Sequence, residues 1–531
     1  MQHTDVETGR RATGRVVMLV DNNVDDDSRV QKAARSAAER GWDVVLLGRA
    51  STQPRTWMIG NAEVRLLPMT PTLGKRRHEF RRRWLIAPLA YPPTGVAARR
   101  AADIKAWRAD LALRRKSVAV LGQHLSRPDR AVLRAEATAA KVTGKWISLR
   151  TRQLKFGQRM RNHLTLPTDR LYTAFWQKLY GNRAWRRLEP GLWDYEFAYG
   201  KAIDGLAPDL IHANDFRMLG VGARAITRAR AAGRDVKLVW DAHEFLPGVQ
   251  SWQNNRRWLP ANLAHEREYA PYADAVITVS ETLAELLQQT HKLPRRPDVV
   301  LNAPDIDHAV TAEPPAETIR AACGIGDEVP LLVYSGLAAE KRGLNTMIEA
   351  MPLLPGVHVA LVVGSYGARY MTEVRARAES LGVAERLHVL PYVPHWQVSP
   401  FLSGADIGVI PIRHLQNHEI ALVTKFFEYS HARLPMVVSD VRTMGDMVNK
   451  TGQGEVFRAD DVTDYVRAVT TVLADCDRYR AAYDAPGLLD GWTWRAQADV
   501  LDRVYRQLVP DLAPRRDAHI GALAEAVAAN T

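Results

Sequence analysis

Strand-length apolar runs alternate with helix-forming stretches in two separate blocks of this chain, and that alternation constrains its fold more than any other feature. Arg15-Val-Val-Met-Leu-Val20 is a buried-strand pattern. Asp25, Asp26, Asp27 and Ser28 then offer helix-capping groups, the stretch from Arg29 to Arg40 has apolar residues at helical spacing, and Gly41 ends it. Trp42-Asp-Val-Val-Leu-Leu47 reads as the next strand, so the chain opens as a βαβ unit, the building block of a parallel sheet covered by helices. A dinucleotide-binding turn would need Gly-x-Gly-x-x-Gly after the first strand. Asp21-Asn-Asn-Val-Asp25 stands there instead, which argues against NAD.

The rhythm resumes at Pro208-Asp-Leu-Ile-His212, continues through Val236-Lys-Leu-Val-Trp240 and Tyr272 to Ser280, and closes with Val299 to Pro304. A Pro-containing link, 305–317, separates this block from a second one. The second block, 318–485, carries the strand patterns Leu331 to Ser335, Val359 to Gly364, Leu387 to Pro391 and Ile407 to Pro411. The segment 486–510 contains a last helix, opened at Trp492-Thr-Trp494. Its apolar residues Ala498, Leu501, Val504, Tyr505 and Leu508 would pack back across the domain junction. The ends, 1–14 and 511–531, read as tails, without a leader or an anchor at the start.

Between about 74 and 200 the alternation stops. Lys75 to His163 holds 23 Lys or Arg against five Asp or Glu, an excess of 18 that leaves the rest of the chain slightly acidic within a total of +13. Basic runs with aromatic residues, such as Arg81 to Trp84, Arg114 to Lys116, Lys145-Trp146 and Arg150 to Arg161, read as a helical insertion. That composition fits an anionic membrane surface or a lipid acceptor, and equally a solvated helical hairpin. Two cysteines, Cys323 and Cys476, sit in unrelated segments and exclude a disulfide framework or a thiolate metal cluster. No apolar run approaches the ~20 residues that a bilayer demands, so a cytoplasmic protein is expected, with the basic region offering contact with the inner face of the membrane.

The chemistry concentrates in Glu419 to Asp440. Thr424 reads as a helix N-cap and Lys425 opens the first turn, so free N–H groups, a positive dipole end and a cation would meet an anion there. Glu428, one turn on, has the acceptor oxygens that vicinal ribose hydroxyls require. Two open α/β domains place ligands at the carboxyl ends of their sheets. In the second block that position belongs to Gly336, which allows close backbone approach, and to Lys341 and Arg342 in the same loop.

The pattern resembles the donor signature of the retaining family 4 glycosyltransferases, a Glu followed eight residues later by another in a helix that leads to an apolar strand. Here Glu419 and Glu428 are nine apart, Ile420 stands at the eighth position back, and Leu337 replaces the first of two cations expected in the Gly336 loop. Asp241-Ala-His-Glu244 resembles the family's acceptor-side turn. The resemblance implies two Rossmann-like domains of GT-B type facing a central cleft: 15–304 for the acceptor, with the insertion at about 74–200, and 318–485 for the donor nucleotide. It implies His243 as the catalytic-site residue, Gly336, Lys341, Arg342, Glu419, Thr424, Lys425 and Glu428 around the donor, and His212, Asp215, Asp241 and Glu244 around the acceptor. His212 and Asp215 read equally well as strand-end caps.

The activity implied is retaining transfer from a nucleoside-diphosphate sugar to a cell-envelope, lipid-linked or small-molecule acceptor, with no other cofactor. No Asp-x-Asp pair follows a strand in a setting that suggests a metal-bound diphosphate, so metal independence is expected. A nucleotide-sugar epimerase or a phosphorylase on the same architecture is the alternative. A basic scaffold for nucleic acid is the remaining one, and no recognition motif for DNA or RNA supports it.

Overall fold

The computed structural model describes residues 13–25, 27–71, 73, 89–92, 95–120, 126–164, 167–249, 255–306, 315, 317–364 and 369–514, with 113–120, 157–163 and 168 in backbone only. The runs Lys75 to Trp84 and most of the 305–317 link lie outside them, as do the far ends of both tails. The chain divides into two compact units. One takes in Met1–Pro71, Leu192–Gln250 and Asn262–Thr531; the other takes in Thr72–Gly191 and Ser251–Ala261.

The first unit holds two sheets. In the first sheet β1 (Arg15–Leu19), β2 (Asp43–Ala50), β3 (Arg55–Ile59), β4 (Ala62–Pro68), β5 (Leu210–Asn214), β6 (Lys237–Ala242), β7 (Ala275–Thr278) and β8 (Asp298–Val299) are ordered β3-β4-β2-β1-β5-β6-β7-β8. All neighbours are parallel except the β3–β4 hairpin, which the strand patterns above do not include. Val16 to Leu19 are fully buried, as a central strand covered on both faces must be. Helix α1 (Ser28–Glu39) follows β1, N-capped by the Asp27 carboxylate on the Val30 N–H.

The second unit is built on three helices: α2 (Val96–Val120), α3 (Arg127–His163) and α4 (Pro167–Tyr180). Helices α2 and α3 pack through Ile104, Ile147 and Tyr91, with Trp107 and Leu154 beside them. Arg257 forks onto Asp169 at 3.0 and 2.6 Å, a buried ion pair internal to this unit.

In the first unit, β5 runs into α5 (Asp215–Ala231). The second sheet consists of β9 (Leu331–Ser335), β10 (His358–Val362), β11 (Leu387–Leu390), β12 (Ile407–Ile410), β13 (Met436–Ser439) and β14 (Gly454–Phe457), all parallel, in the order β11-β10-β9-β12-β13-β14. Helix α6 (Thr424–His431) lies between β12 and β13 and buries Phe426, Phe427 and Tyr429.

The chain crosses between the two sheets at Trp492 to Trp494. Trp492 packs edge-on against Phe426 and Phe427 in the second core, whereas Trp494 and α7 (Trp494–Leu508) belong to the first. Ala498, Leu501, Val504 and Tyr505 are buried there, each large apolar side chain contributing about 1.5–3 kcal/mol. Gly14, in the expected leading tail, donates its N–H to the Leu512 carbonyl at 2.9 Å, which ties the two ends of the described chain together.

Strand order reverses direction beside β1 and β5 in the first sheet and beside β9 and β12 in the second. Loops leaving the carboxyl ends of these strands diverge, opening a crevice for a ligand.

Candidate active site

On the first sheet's side, Asp241 lies next to last on β6, buried, and Arg29 of α1 forks onto it at 2.9 and 3.0 Å. Arg29 also donates to the Val300 carbonyl and to Asn302 Oδ1. Burial would raise the Asp241 carboxyl, but the Arg29 guanidinium and His243 hold it well below the usual carboxylate range. His243 follows one residue after the strand, with Nε2 3.2 Å from Asp241 Oδ2 and Nδ1 3.8 Å from Asp215 Oδ2. Burial lowers the imidazole's pKa, yet the two carboxylates outweigh it and bring it to about 9.

Asp215 begins α5 at a φ of 62°, a left-handed conformation uncommon outside glycine. Burial pushes its carboxyl up to about 7; His243 opposes the shift, and Asp21 and Glu244 add to it. Glu244 is exposed.

His212 is placed otherwise. It is fully buried on β5, its Nδ1 2.5 Å from the Tyr505 hydroxyl of α7 and its Nε2 3.6 Å from Asp241, so it joins the sheet to the returning helix.

On the second sheet's side, Gly336 follows β9 at a φ of 130°, and a Cβ there would stand 3.0 Å from Lys425 Nζ. Lys425 is itself buried, with Nζ 3.6 Å from the centre of the Tyr334 ring. Neither Lys425 Nζ nor the buried Nε of Arg342 has a hydrogen-bond partner within the described residues. Burial, and after it the charge of Arg342, pushes the Lys425 ammonium well below its ordinary range, with Glu428 pulling the other way. Arg342 ends a short 3-10 turn, Glu340–Arg342, held by Gly343 at a φ of 71°, where a Cβ would lie 1.8 Å from the Pro411 carbonyl oxygen. Lys341 shares the turn, half-buried.

Thr424 is not the N-cap expected from its side chain. The extended residue before α6 is Val423, Thr424 is the first helical residue, and no side chain caps this end. The Thr424 and Lys425 N–H groups at this terminus are therefore met by no side-chain oxygen among the described residues. Glu419 is already engaged: His414 Nδ1 lies 2.5 Å from one carboxylate oxygen, and the Arg442 N–H donates to the other at 2.8 Å. Glu428 faces the first sheet's side, its carboxyl raised by burial and drawn down by Lys32 of α1 and by Lys425.

Lys32 is absent from the sequence reading. Its ammonium donates to the Ala303 carbonyl at 2.5 Å, lies 4.7 Å from the Trp494 ring centre, and is lowered by burial and by Arg29 to about 8. It lines a cavity of about 440 Å³ together with Asn22, Asn23, Asp27, Ser28, Arg29, His243, Asn302 and Thr424. The available signal was that Arg29 and Lys32, three apart on α1, share the helix face that also carries Ala33 and the small Ser36 toward the core.

The two parallel α/β sheets, with Lys425 and Arg342 beside one and an imidazole between carboxylates beside the other, define a protein of the paired Rossmann-like class. Comparison with known families sharpens this. Residues 167–308 match the model described as Glycosyltransferase Family 4, and residues 329–475 match the model Glycosyl transferases group 1. Together the matches take in more than half of the chain, which belongs to the glycosyltransferases these models describe, on the GT-B fold.

Among curated relatives, a D-inositol 3-phosphate glycosyltransferase of Mycolicibacterium gilvum is 28% identical over 256 residues, 45% of this chain and 56% of the relative. One of Catenulispora acidiphila is 23% identical over 57% of this chain and 72% of the relative. The chain thus spans about half the length of the first of these. Of solved structures, sucrose-phosphate synthase from Thermosynechococcus elongatus superposes with a TM-score of 0.59 at 15% identity, covering 94% of this chain and all of that one. An E. coli structure described as trehalose-6-phosphate bound with UDP-2-fluoro glucose gives 0.56 at 11%, covering 93% and 99%. At these identities the likeness is one of fold.

Proposed function

We propose that this chain is a retaining glycosyltransferase that takes a nucleoside-diphosphate sugar at its second sheet and a hydroxyl acceptor in the cavity beside the first. The observation that carries the reading is the pair of atoms Lys425 Nζ and Arg342 Nε, both buried and, among the described residues, both without a hydrogen-bond partner. A buried ammonium beside a half-buried guanidinium is costly unless an anion completes the site. A diphosphate has the charge and the acceptor oxygens to do so, and the uncapped start of α6 adds N–H donors. Glu428, one helical turn along, is the acceptor for ribose hydroxyls. The curated relatives' name supports glycosyl transfer, and the UDP-sugar of the E. coli fold neighbour supports a nucleotide donor.

In the transfer, the bond from the sugar's anomeric carbon to the diphosphate oxygen breaks while a bond to the acceptor oxygen forms on the same face. The acceptor's proton passes to the departing phosphate oxygen. Lys425, Arg342 and the α6 terminus stabilise the charge that develops on the leaving group, worth a few kcal/mol in a dry cleft, so the scheme requires no metal ion. His243, cationic at neutral pH by its placement between Asp241 and Asp215, orients the sugar or the incoming hydroxyl. Lining amides and hydroxyls of Asn22, Asn23, Ser28 and Asn302 suit a polyhydroxylated acceptor.

The test is incubation with a panel of UDP-, GDP-, ADP- and TDP-sugars, free polyols and lipid-linked acceptors, with products read by mass spectrometry and anomeric configuration by NMR. Transfer with retained configuration is expected. An epimerised nucleotide sugar without transfer would move the assignment to the epimerases of the same architecture.

A further inference from the structure

Helix α3 of the insertion has two apolar faces, and among the described residues only one of them is covered. Ala140, Ile147 and Leu154, seven apart, face α2 and its small core. On the far side Val142, Trp146, Leu149 and Phe156 recur at helical spacing and are 63%, 46%, 45% and 57% exposed. Beside this stripe runs a ridge of exposed cations, Arg134, Lys141, Lys145 and Arg152. Helix α4 repeats the arrangement: Leu171, Phe175 and Leu179 are spaced by four, each more than half exposed, with Arg170 and Lys178 exposed on the same helix.

A solvated hairpin has no use for two rows of exposed aromatic and aliphatic side chains, since large exposed apolar patches mark interaction surfaces. We propose that the outward faces of α3 and α4 are a membrane-docking surface that takes an anionic lipid bilayer. The pairing of Trp, Phe, Leu and Val with adjoining Lys and Arg matches the two parts of such a surface: the apolar row enters the acyl boundary and the ridge meets anionic headgroups. Charge complementarity selects this occupant. A second copy of the chain would bring one strongly basic insertion against another, and a nucleic acid would leave Val142 and Leu149 in water.

The experiment is co-sedimentation of the full chain with vesicles of phosphatidylcholine alone or mixed with phosphatidylglycerol, at low and high salt. Binding only to the anionic vesicles, weakened by salt, is expected. Lys141→Glu/Lys145→Glu/Arg152→Glu should lower partitioning at least about a hundredfold, at about fivefold per basic residue lost. Trp146→Glu/Phe156→Glu should lower it at least tenfold, and both variants should bind nucleoside diphosphate as the parent does, which separates this test from the donor assignment. Brominated lipid should quench the parent's fluorescence, with the quenching reduced in Trp146→Phe, a variant that keeps the stripe apolar. Absence of binding to anionic vesicles at low salt would overturn the proposal, as would equal binding to both vesicle types. Self-association abolished by Trp146→Glu, or retention on duplex DNA, without vesicle binding would overturn it in favour of those partners.

Discussion

Lys425 Nζ stands 3.6 Å from the centre of the Tyr334 ring, buried and, among the described residues, without a hydrogen-bond partner. The ring face offsets part of the ammonium's lost hydration, about 2 kcal/mol when desolvated, but leaves its donors unused. An oxyanion arriving there gains a charge-assisted contact at little cost in reorganisation. Lys425→Met should therefore weaken nucleoside-diphosphate binding about tenfold to a hundredfold, the ~1.5–3 kcal/mol of a hydrogen bond to a charged group. Arg342→Ala should act similarly, and isothermal calorimetry reads both.

The lowered pKa of Lys425 makes binding a proton-linked event. Burial and Arg342 depress it in the empty site, and a bound diphosphate would raise it again. Binding then takes up protons wherever the free site is partly deprotonated, so affinity should fall as pH rises through that range. Calorimetry in buffers of different ionisation enthalpy should show this uptake, absent in Lys425→Met.

His243 provides a second pH signature. Its pKa, raised to about 9 by Asp241 and Asp215 over the opposing effect of burial, keeps it cationic at neutral pH. Its contribution to stability is complete below its ordinary value of 6.5 and is lost as pH rises through about 9. Transfer rate should fall along the same alkaline limb. Asp215→Asn removes one raising charge and should move that limb to lower pH, while His243→Ala should lower kcat by about 10²–10⁴ with less effect on donor KM. A limb unmoved in Asp215→Asn would show that another group titrates.

Lys32 trades stability for position. It titrates at about 8 in the fold against 10.5 when free, so between those values the unfolded chain holds more protons and stability rises with pH, by at most about 1.4 kcal/mol per unit. Below 8 the burial penalty is fully present. Lys32→Met should stabilise the protein at neutral pH by about 1–3 kcal/mol and flatten this slope, while slowing transfer through loss of the charge that faces Glu428. Chemical denaturation across pH 7–11 measures the first two effects.

Gly343→Ala should be severe. Its φ of 71° and a Cβ only 1.8 Å from the Pro411 oxygen mean that backbone must move, carrying Arg342 out of register. A loss of at least about 1–3 kcal/mol and of nucleoside-diphosphate binding is expected, measured by thermal melting with and without ligand.

The parallel sheets were legible because buried central strands leave unbroken apolar runs, as at Val16 to Leu19 and Leu331 to Tyr334. Post-strand positions such as Gly336 and His243 were legible for the same reason, since the end of a run fixes the rim of the sheet. Lys32 was not, because its ammonium lies over the ring of Trp494, 462 residues away in the chain. The burial of His212 against Tyr505 is likewise a contact across 293 residues. Thr424 misled because N-cap preferences describe side chains that satisfy N–H groups, whereas this helix end has no side-chain cap. The insertion's charge was plain in composition; the unused apolar face of α3 required knowing which face α2 covers.

The most direct test of the anion site is calorimetric titration of the parent chain and of Lys425→Met with a nucleoside diphosphate and with the matching nucleoside. The parent should bind the diphosphate much more tightly than the nucleoside, and Lys425→Met should lose most of that difference while keeping its nucleoside affinity. Equal affinities of the parent for both ligands, or a diphosphate preference unchanged in Lys425→Met, would contradict the assignment of Lys425 and Arg342 to a donor diphosphate.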